Sequence, residues 1–386
     1  MASRVTVTRR GAERAARHPW IFRRDVEDVQ ARGGDIVEVS DGRGRKVGEA
    51  FYSDRSAIAL RMLTRGDERA GLDLVRTRLA RAIEYRARLG LDATAFRLVS
   101  SEADRLPSLI VDRYDQYLVV QTLSQGSDRI AAEIVQMLVE LVGPAGILAR
   151  NDPRTRELEG LARTVEVVSG SVPERVVVTE GDVHYSVDLR RDQKTGLFLD
   201  QRENREAAAR YASGRLLDCF SYHGGFAIRL ARQCREVVAI ESSEVAAARI
   251  RENAALNGVE GLEVHTANVF DELREFDRAG ERFDTIVLDP PKFAQNRKAV
   301  SNAAAGYKEI NLRALKLLRP GGFLVTCTCS HHVDEATFGE IVWEAALDAG
   351  ALVTVVEKRM QARDHPVLLG VPESYYLKCF VIRRVA

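Results

Sequence analysis

Residues 326 to 332 read TCTCSHH, in a chain of 386 residues that holds only five cysteines. Two thiols one residue apart, followed by Ser330, His331 and His332, open three chemistries: metal binding, packing and nucleophilic attack. Structural zinc sites use spaced pairs of ligands, and no complementary CxxC stands elsewhere, so no metal is expected. Cys327 and Cys329 share strand parity. A free thiol with a pKa of about 8.5 is only slightly ionised at neutral pH, so a nucleophile here needs a site that promotes its thiolate. Upstream, IVLDPPKF puts Asp289 before Pro290 and Pro291. Proline has no N–H and restricts the preceding residue, which fixes an extended loop whose carbonyls are left to accept. Asp289 and the Pro290 carbonyl can then hold the amine or ring nitrogen of a flat base, with Lys292 beside them. Phe293 either stacks on that base or packs in the core.

A second constellation lies in LLDCFSYHGGFAIRLA. Asp218 sits near the end of an apolar strand, Phe220 and Ser221 follow, and Gly224 and Gly225 allow close backbone approach at the start of a helix. Neither GxGxxG nor a GK[ST] loop is present, which argues against a dinucleotide or nucleoside-triphosphate site. Glu241 closes the next strand, where a carboxylate accepts from two ribose hydroxyls, and Asn268 closes the one after, where its amide meets an adenine edge. This set suits S-adenosylmethionine, a nucleoside joined to an amino acid without phosphate. Glu241 and Asn268 also read as ordinary helix N-caps.

These residues need a sheet to bring them together. RLLDCF (215–220), EVVAIE (236–241), LEVHTAN (262–268), FDTIVLD (283–289) and GFLVTCT (322–328) read as strands alternating with helices, which predicts a mostly parallel, doubly wound sheet with its ligands at the strand C-termini. Before it, VVVTEGDVHYSVDLR has the form of a hairpin. Residues 72–175 read as an α+β unit: an amphipathic helix from Leu72, a strand–turn–strand over LPSLIVDRYDQYLVVQTLS, and a helix over RIAAEIVQMLVELV. Residues 1–71 carry short alternating runs broken by glycines, the pattern of a small β-rich module. The expected division is therefore 1–71, 72–175 and 176–386.

Composition sets outer bounds. A 45% hydrophobic fraction is that of a globular chain, and no apolar run reaches the roughly 20 residues of a membrane helix. The sparse, odd cysteine set suits a reducing compartment, so a cytoplasmic protein is expected. The net charge of +1 conceals an N-terminal bias: residues 1–24 hold seven arginines against Glu13. Such an edge suits phosphate, although arginine outnumbers lysine along the entire chain.

The ordered motifs DCFSYHGGFA, LDPPKF, AGYKEINLRALKLLRPGG and TCS, with QKTGLFLDQREN and RHPWIF before them and DHPV after, resemble the bacterial 23S ribosomal RNA cytosine-5 methyltransferase family. The resemblance spans almost the entire chain. It implies a PUA-like RNA-binding domain, a central α+β domain and a class I (Rossmann-like) S-adenosylmethionine-dependent methyltransferase domain, with large-subunit ribosomal RNA as partner and a homodimer as assembly. It also implies that Cys329 is the nucleophile, with Cys327 left to packing. Cofactor contacts fall by the same resemblance on Lys194, Phe198, Asp200, Gln201 and Arg202, a stretch that otherwise reads as a capped helix start. Lys292 stands where many RNA cytosine-5 methyltransferases carry a second cysteine; the ribosomal family also lacks it. No residue is identified as the base that removes the C5 proton, and His331 and His332 stay open between that task, a phosphate contact and a solvated loop. Two other functions remain in view: methylation of a base nitrogen, which needs no cysteine, and a non-catalytic ribosome-assembly factor.

Overall fold

The computed structural model describes residues 3–293 and 300–386. The chain divides into two compact units. The first comprises the chain up to Val178 with Val187–Leu197 and Arg363–Ser374; the second comprises Thr179–Ser186, Phe198–Ala362 and Tyr375–Ala386.

Within the first unit the N-terminal strands form a six-stranded sheet, in the order Trp20–Phe22, Ile58–Met62, Lys46–Tyr52, Ile36–Asp41, Arg4–Val7, Val26–Gln30. Alternation drives it: Val5 with Val7 and Val37 with Val39 point to one face and meet Ile21 and Leu60 in a common core. Much of the arginine-rich edge is spent inside this module. Arg10 pairs with Asp25, Arg14 donates to the Trp20 carbonyl and lies over the Phe22 ring, and Arg23 donates to the Ser53 and Ser56 carbonyls. A second sheet of five strands, from Thr164–Gly170 through Gly146–Asn151, Tyr117–Thr122 and Leu109–Tyr114 to Ala95–Ser100, belongs to the same unit. Its core is shared by Leu79 of helix Leu72–Arg88 and Ile134 of helix Ala131–Val142.

The second unit carries a seven-stranded sheet, ordered Leu262–Thr266, Cys234–Glu241, Gly214–Cys219, Phe283–Leu288, Leu318–Thr328, Lys378–Arg384, Val353–Arg359. The first five strands are parallel; Lys378–Arg384 runs antiparallel to its neighbours on both sides, so Val353–Arg359 at the edge points the same way as the first five. Helices cover both faces, so adjacent residues of one strand enter different cores. Leu217, Cys219, Ile286 and Leu288 fill one, while Leu216, Val287, Val325 and Cys327 fill the other. The direction of winding reverses between Gly214–Cys219 and Phe283–Leu288, which opens a crevice at the C-terminal ends of those central strands. The hairpin Val176–Glu180/Val183–Val187 contributes its tip to this unit, where the Tyr185 hydroxyl donates to the Gly225 carbonyl at 3.1 Å. Among the described residues no helix is long and apolar enough to cross a membrane, and no group of three or more His, Cys, Asp or Glu is placed to hold a metal.

Candidate active site

The crevice begins with the turn after Gly214–Cys219. Phe220 (φ +62°), Tyr222 (φ +52°) and Gly224 (φ +80°) all take left-handed backbone conformations. Two aromatic residues there are strained, and strain of this kind persists only where the surroundings enforce it. They do so through hydrogen bonds: Ser221 N donates to the Ile240 carbonyl (3.1 Å), Tyr222 N to Glu241 Oε2 (2.9 Å) and Gly224 N to the Ser221 carbonyl (2.9 Å). Glu241 Oε1 also accepts from Ser243 N at 2.9 Å. A Cβ on Gly224 would lie 2.9 Å from Ile228 Cδ1, at a backbone angle already unfavourable to other residues.

Asp218 is buried beneath this turn. Its Oδ2 accepts from Ser221 Oγ (2.6 Å) and from Ala227 N (2.9 Å), while Oδ1 has no hydrogen-bond partner among the described residues. Burial pushes the carboxyl up to about 7, against the two hydrogen bonds that favour its ionised form, and the charges of Asp289 and Glu241 push in the same direction as burial. An orphaned, crowded carboxylate oxygen fits a cationic or N–H-bearing ligand group, such as the α-ammonium of S-adenosylmethionine.

From the other side of the switch point come Asp289 and the proline loop. Gln201 Nε2 donates to Asp289 Oδ1 at 2.8 Å, and Asn204 Nδ2 donates to Gln201 Oε1 at 2.6 Å. Cys329 follows the neighbouring strand Leu318–Thr328, and its Sγ lies 4.0 Å from the Pro290 carbonyl oxygen. Leu288 and Thr326 are register partners on these parallel strands, so the two loops leave the sheet side by side. Cys327 instead lies wholly in the core, opposite Cys379 on the antiparallel strand, and burial raises its thiol well above the ordinary value.

The sequence-derived residues thus divide. Asp218, Ser221, Glu241, Gln201, Asp289, Pro290 and Cys329 gather at the strand ends of one sheet. Asn268 spends its side chain as N-cap of helix Val269–Ala279, accepting from Phe270 N at 2.9 Å. Phe293 packs against Tyr307 (centroids 4.8 Å), Phe270 and Phe220, and Lys292 is exposed. Asp200 accepts from the Tyr376 hydroxyl (2.8 Å), Arg202 is buried, and Phe198 packs edge-on to Tyr222. Lys194 belongs to the first unit, at φ +55°. His331 and His332 lie ring against ring, centroids 3.7 Å apart.

Sequence reasoning missed the supports. Arg205 forms a buried two-point ion pair with Glu180 (2.9 and 2.5 Å) and also donates to the Phe198 carbonyl. The Tyr307 hydroxyl accepts from Thr328 Oγ1 at 2.8 Å, one residue before Cys329, and burial raises its pKa to about 12. Each joins residues distant in the chain, and only the REN run before Arg205 hinted at a role.

A strained turn after the first strand, acids at the ends of the central strands and a seven-stranded sheet with a final antiparallel pair define a class I S-adenosylmethionine-dependent methyltransferase. Comparison with known proteins agrees: residues 123–379 match the family model described as S-adenosylmethionine-dependent methyltransferase, and residues 5–65 match a PUA-like domain. A solved S-adenosylmethionine-dependent methyltransferase from Streptococcus mutans shares the fold at 19% identity, with a TM-score of 0.85 and 100% of both chains covered. Another solved methyltransferase, in complex with SAH, superposes with a TM-score of 0.86 at 19% identity and the same coverage. The proteins named ribosomal RNA large subunit methyltransferase I are much nearer in sequence. That of Tolumonas auensis is 40% identical, covering 96% of each chain, and that of Aeromonas salmonicida 42% identical, covering 95% of each. The chain belongs to the ribosomal RNA large subunit methyltransferase I family.

Proposed function

We propose that this enzyme methylates C5 of a cytosine in large-subunit (23S) ribosomal RNA through a covalent bond between Cys329 and C6 of the base. The observation that carries the reading is the approach of Cys329 Sγ to the Pro290 carbonyl, 4.0 Å, at the mouth of the switch-point crevice. A base held by that carbonyl and by Asp289 through its amine or ring nitrogen would present its ring to the thiol.

When bound, S-adenosylmethionine supplies an electrophilic methyl group. Asp218 Oδ1, the turn Phe220–Gly225 and Gln201 are proposed to hold its amino acid part, Glu241 its ribose, and the stretch Phe198–Arg202 to close beside it, while the Asn268 side chain serves as a helix cap. The protein's own chemistry lies on the cytosine. C5 is a poor nucleophile until the Cys329 thiolate adds to C6, which moves electron density onto C5. After C5 gains its methyl group, a base removes the C5 proton, the C5–C6 double bond re-forms and the thiolate leaves. Asp289, kept in place by Gln201, holds the base throughout.

We assign RNA contacts to the first unit on its match to a PUA-like domain over residues 5–65; Arg17, Arg65 and Arg105 line a cleft of about 390 Å³ there, with Arg105 paired to Glu68 at 3.5 Å and Arg65 donating to the Ala15 carbonyl. The proposed division is a PUA-like RNA-binding domain (1–71), a central domain (72–175) and the methyltransferase domain (176–386), the last lending Val187–Leu197 and Arg363–Ser374 to the first compact unit. A homodimer, to be tested by sedimentation, and a cytoplasmic site of action, to which five free thiols are suited, complete the proposal.

The test is direct. Ribosomal RNA from cells with and without the gene is digested and its nucleosides mapped by mass spectrometry, and purified enzyme is incubated with RNA carrying 5-fluorocytosine. A 5-methylcytidine lost with the gene and a trapped covalent complex support the proposal. An N-methylated guanosine or adenosine in its place, with no trapped complex, would replace it.

A further inference from the structure

Lys378 opens the antiparallel strand Lys378–Arg384 and stands in register opposite Thr328, the residue before Cys329. Lys378 is 1% exposed. Buried ammonium groups normally face a carboxylate, because removing the charge from water is costly unless an anion replaces the solvent. Lys378 has no such partner among the described residues. Nζ donates to one acceptor, the Ser330 carbonyl at 3.2 Å, and sits 5.0 Å from the centroid of the Tyr375 ring. The nearby acids are committed elsewhere. Asp334 caps helix Glu335–Ala349 by accepting from Thr337 N at 2.8 Å, and Glu335 pairs with Lys358 (2.9 Å) and accepts from the Tyr375 hydroxyl (3.0 Å).

The lysine therefore anchors the carbonyl next to Cys329 while lacking a direct counter-ion of its own. Burial lowers the pKa of this lysine, and the charges of Asp334, Cys329 and Glu335 oppose that lowering; of these three groups only the thiol ionises as part of the proposed reaction. We propose that Lys378 is a positioning residue for the nucleophile: its buried ammonium is the counter-charge that holds Cys329 as a thiolate. On ionisation the proton leaves Sγ for water and the negative charge stays on sulfur, one residue from the carbonyl that the ammonium holds. This works against Asp289, whose carboxylate on the adjoining loop disfavours a second anion, and it leaves the sulfur a better nucleophile toward C6 and a stable leaving group at the last step. The inference rests on Cys329 being the nucleophile, but it concerns the ionisation of that thiol and is measured apart from turnover.

The experiment is the pH dependence of Cys329 alkylation by iodoacetamide, followed by peptide mass spectrometry on the full chain. The other thiols give little background: Cys219, Cys327 and Cys379 are buried, and burial lifts Cys234 to about 11. The wild-type midpoint is expected below the free-thiol value of about 8.5. Lys378→Met should raise it by about one unit, slowing alkylation at pH 7 roughly tenfold, and Lys378→Arg should restore most of the rate. Tyr307, Asp289, Asp334, Glu335, Lys358, Tyr375, His331 and His332 are unchanged throughout, so differences between variants isolate the lysine. A wild-type midpoint at or above the free-thiol value overturns the proposal even if Lys378→Met does not fold. So does an unchanged midpoint in folded Lys378→Met, or an Arg variant as slow as the Met variant. Trapping on 5-fluorocytosine RNA separates the two readings: a low midpoint without trapping sinks the nucleophile, and trapping with an ordinary midpoint sinks only the role of Lys378.

Discussion

Gln201 donates to Asp289 across 88 residues of chain, Nε2 to Oδ1 at 2.8 Å, and Asn204 fixes the direction of that amide by donating to its oxygen. The segment ahead of the sheet thus reaches the proline loop and orients the carboxylate proposed to hold the base. Asp289 is an acceptor with a set direction, which a side chain at the start of a loop would not otherwise have.

Removing that donor should be felt in catalysis more than in folding. A hydrogen bond to a charged acceptor is worth about 1.5–3 kcal/mol, so Gln201→Leu is expected to lower kcat/KM for RNA by roughly 10- to 100-fold. Gln201→Glu should do worse, since it faces one carboxylate with another. Steady-state methylation with calorimetric cofactor binding checks both; a change below about twofold would remove Gln201 from the positioning network.

Asp218 should make cofactor binding depend on pH. Its folded pKa of about 7 stands above the ordinary 3.8. An ionised carboxylate is needed to meet an ammonium, so affinity should weaken as pH falls through 7, by up to about tenfold per unit. The upper limit belongs to the ligand's own amino group, near 8. Stability runs the other way. A raised carboxyl pKa contributes stability that is fully present below 3.8 and lost as pH rises through 7. Asp218→Asn keeps an oxygen for Ser221 and Ala227 and removes the buried charge, so the cofactor-free variant should melt higher than wild type at pH 8 and nearly alike at pH 4. It should also bind the cofactor weakly and without the pH step. Calorimetry and thermal melts across pH 4–8 decide it, and a pH-independent wild-type affinity would contradict the assignment.

The parts visible in the sequence are those written in local pattern. Strands such as FDTIVLD announce themselves by apolar runs that end in an acid, and the turn at Gly224 by its glycines. The last two strands, Val353–Arg359 and Lys378–Arg384, were not among the expected five. The latter is buried through its first five residues, so it shows no alternation, and it pairs back onto Leu318–Thr328 from some fifty residues away. Asn268 illustrates the reverse: one residue type at a strand end serves equally as cap and as ligand contact, and only its bond to Phe270 N shows the cap in use. Gln201–Asp289, Arg205–Glu180 and Lys378–Ser330 are long-range pairs that no period of 2 or 3.6 records.

Arg205 and Glu180 should act on both stability and the cofactor turn. Both side chains are about 6% exposed, so removing one leaves the other charged and buried. Such a break costs about 3–5 kcal/mol. Arg205 also backs the turn from below: a Cβ on Gly225 would stand 3.2 Å from its Cδ. Glu180→Gln is therefore expected to lower Tm and to weaken cofactor binding together, whereas the double change Glu180→Leu with Arg205→Met should recover much of the stability but not the binding. Denaturant melts and calorimetry read the two effects, and recovery of both in the double variant would reduce the pair to packing.

The two cysteines of TCTCSHH should separate cleanly. Cys329→Ala removes the proposed nucleophile from a half-buried position beyond the strand end, so methylation should fall to background while S-adenosylmethionine binding and Tm stay near wild type. Cys327 is buried in the core against Cys379, with its thiol pushed up by burial, and its chemistry is unavailable near neutral pH. Cys327→Ala removes one buried sulfur and should cost about 1 kcal/mol of stability with turnover retained. Side-by-side turnover, cofactor titration and thermal melts of the two variants measure this. The converse pattern, an active Cys329→Ala and an inactive but folded Cys327→Ala, would move the nucleophile two residues back into the sheet. The thiol would then have to ionise inside a packed core, which its surroundings oppose.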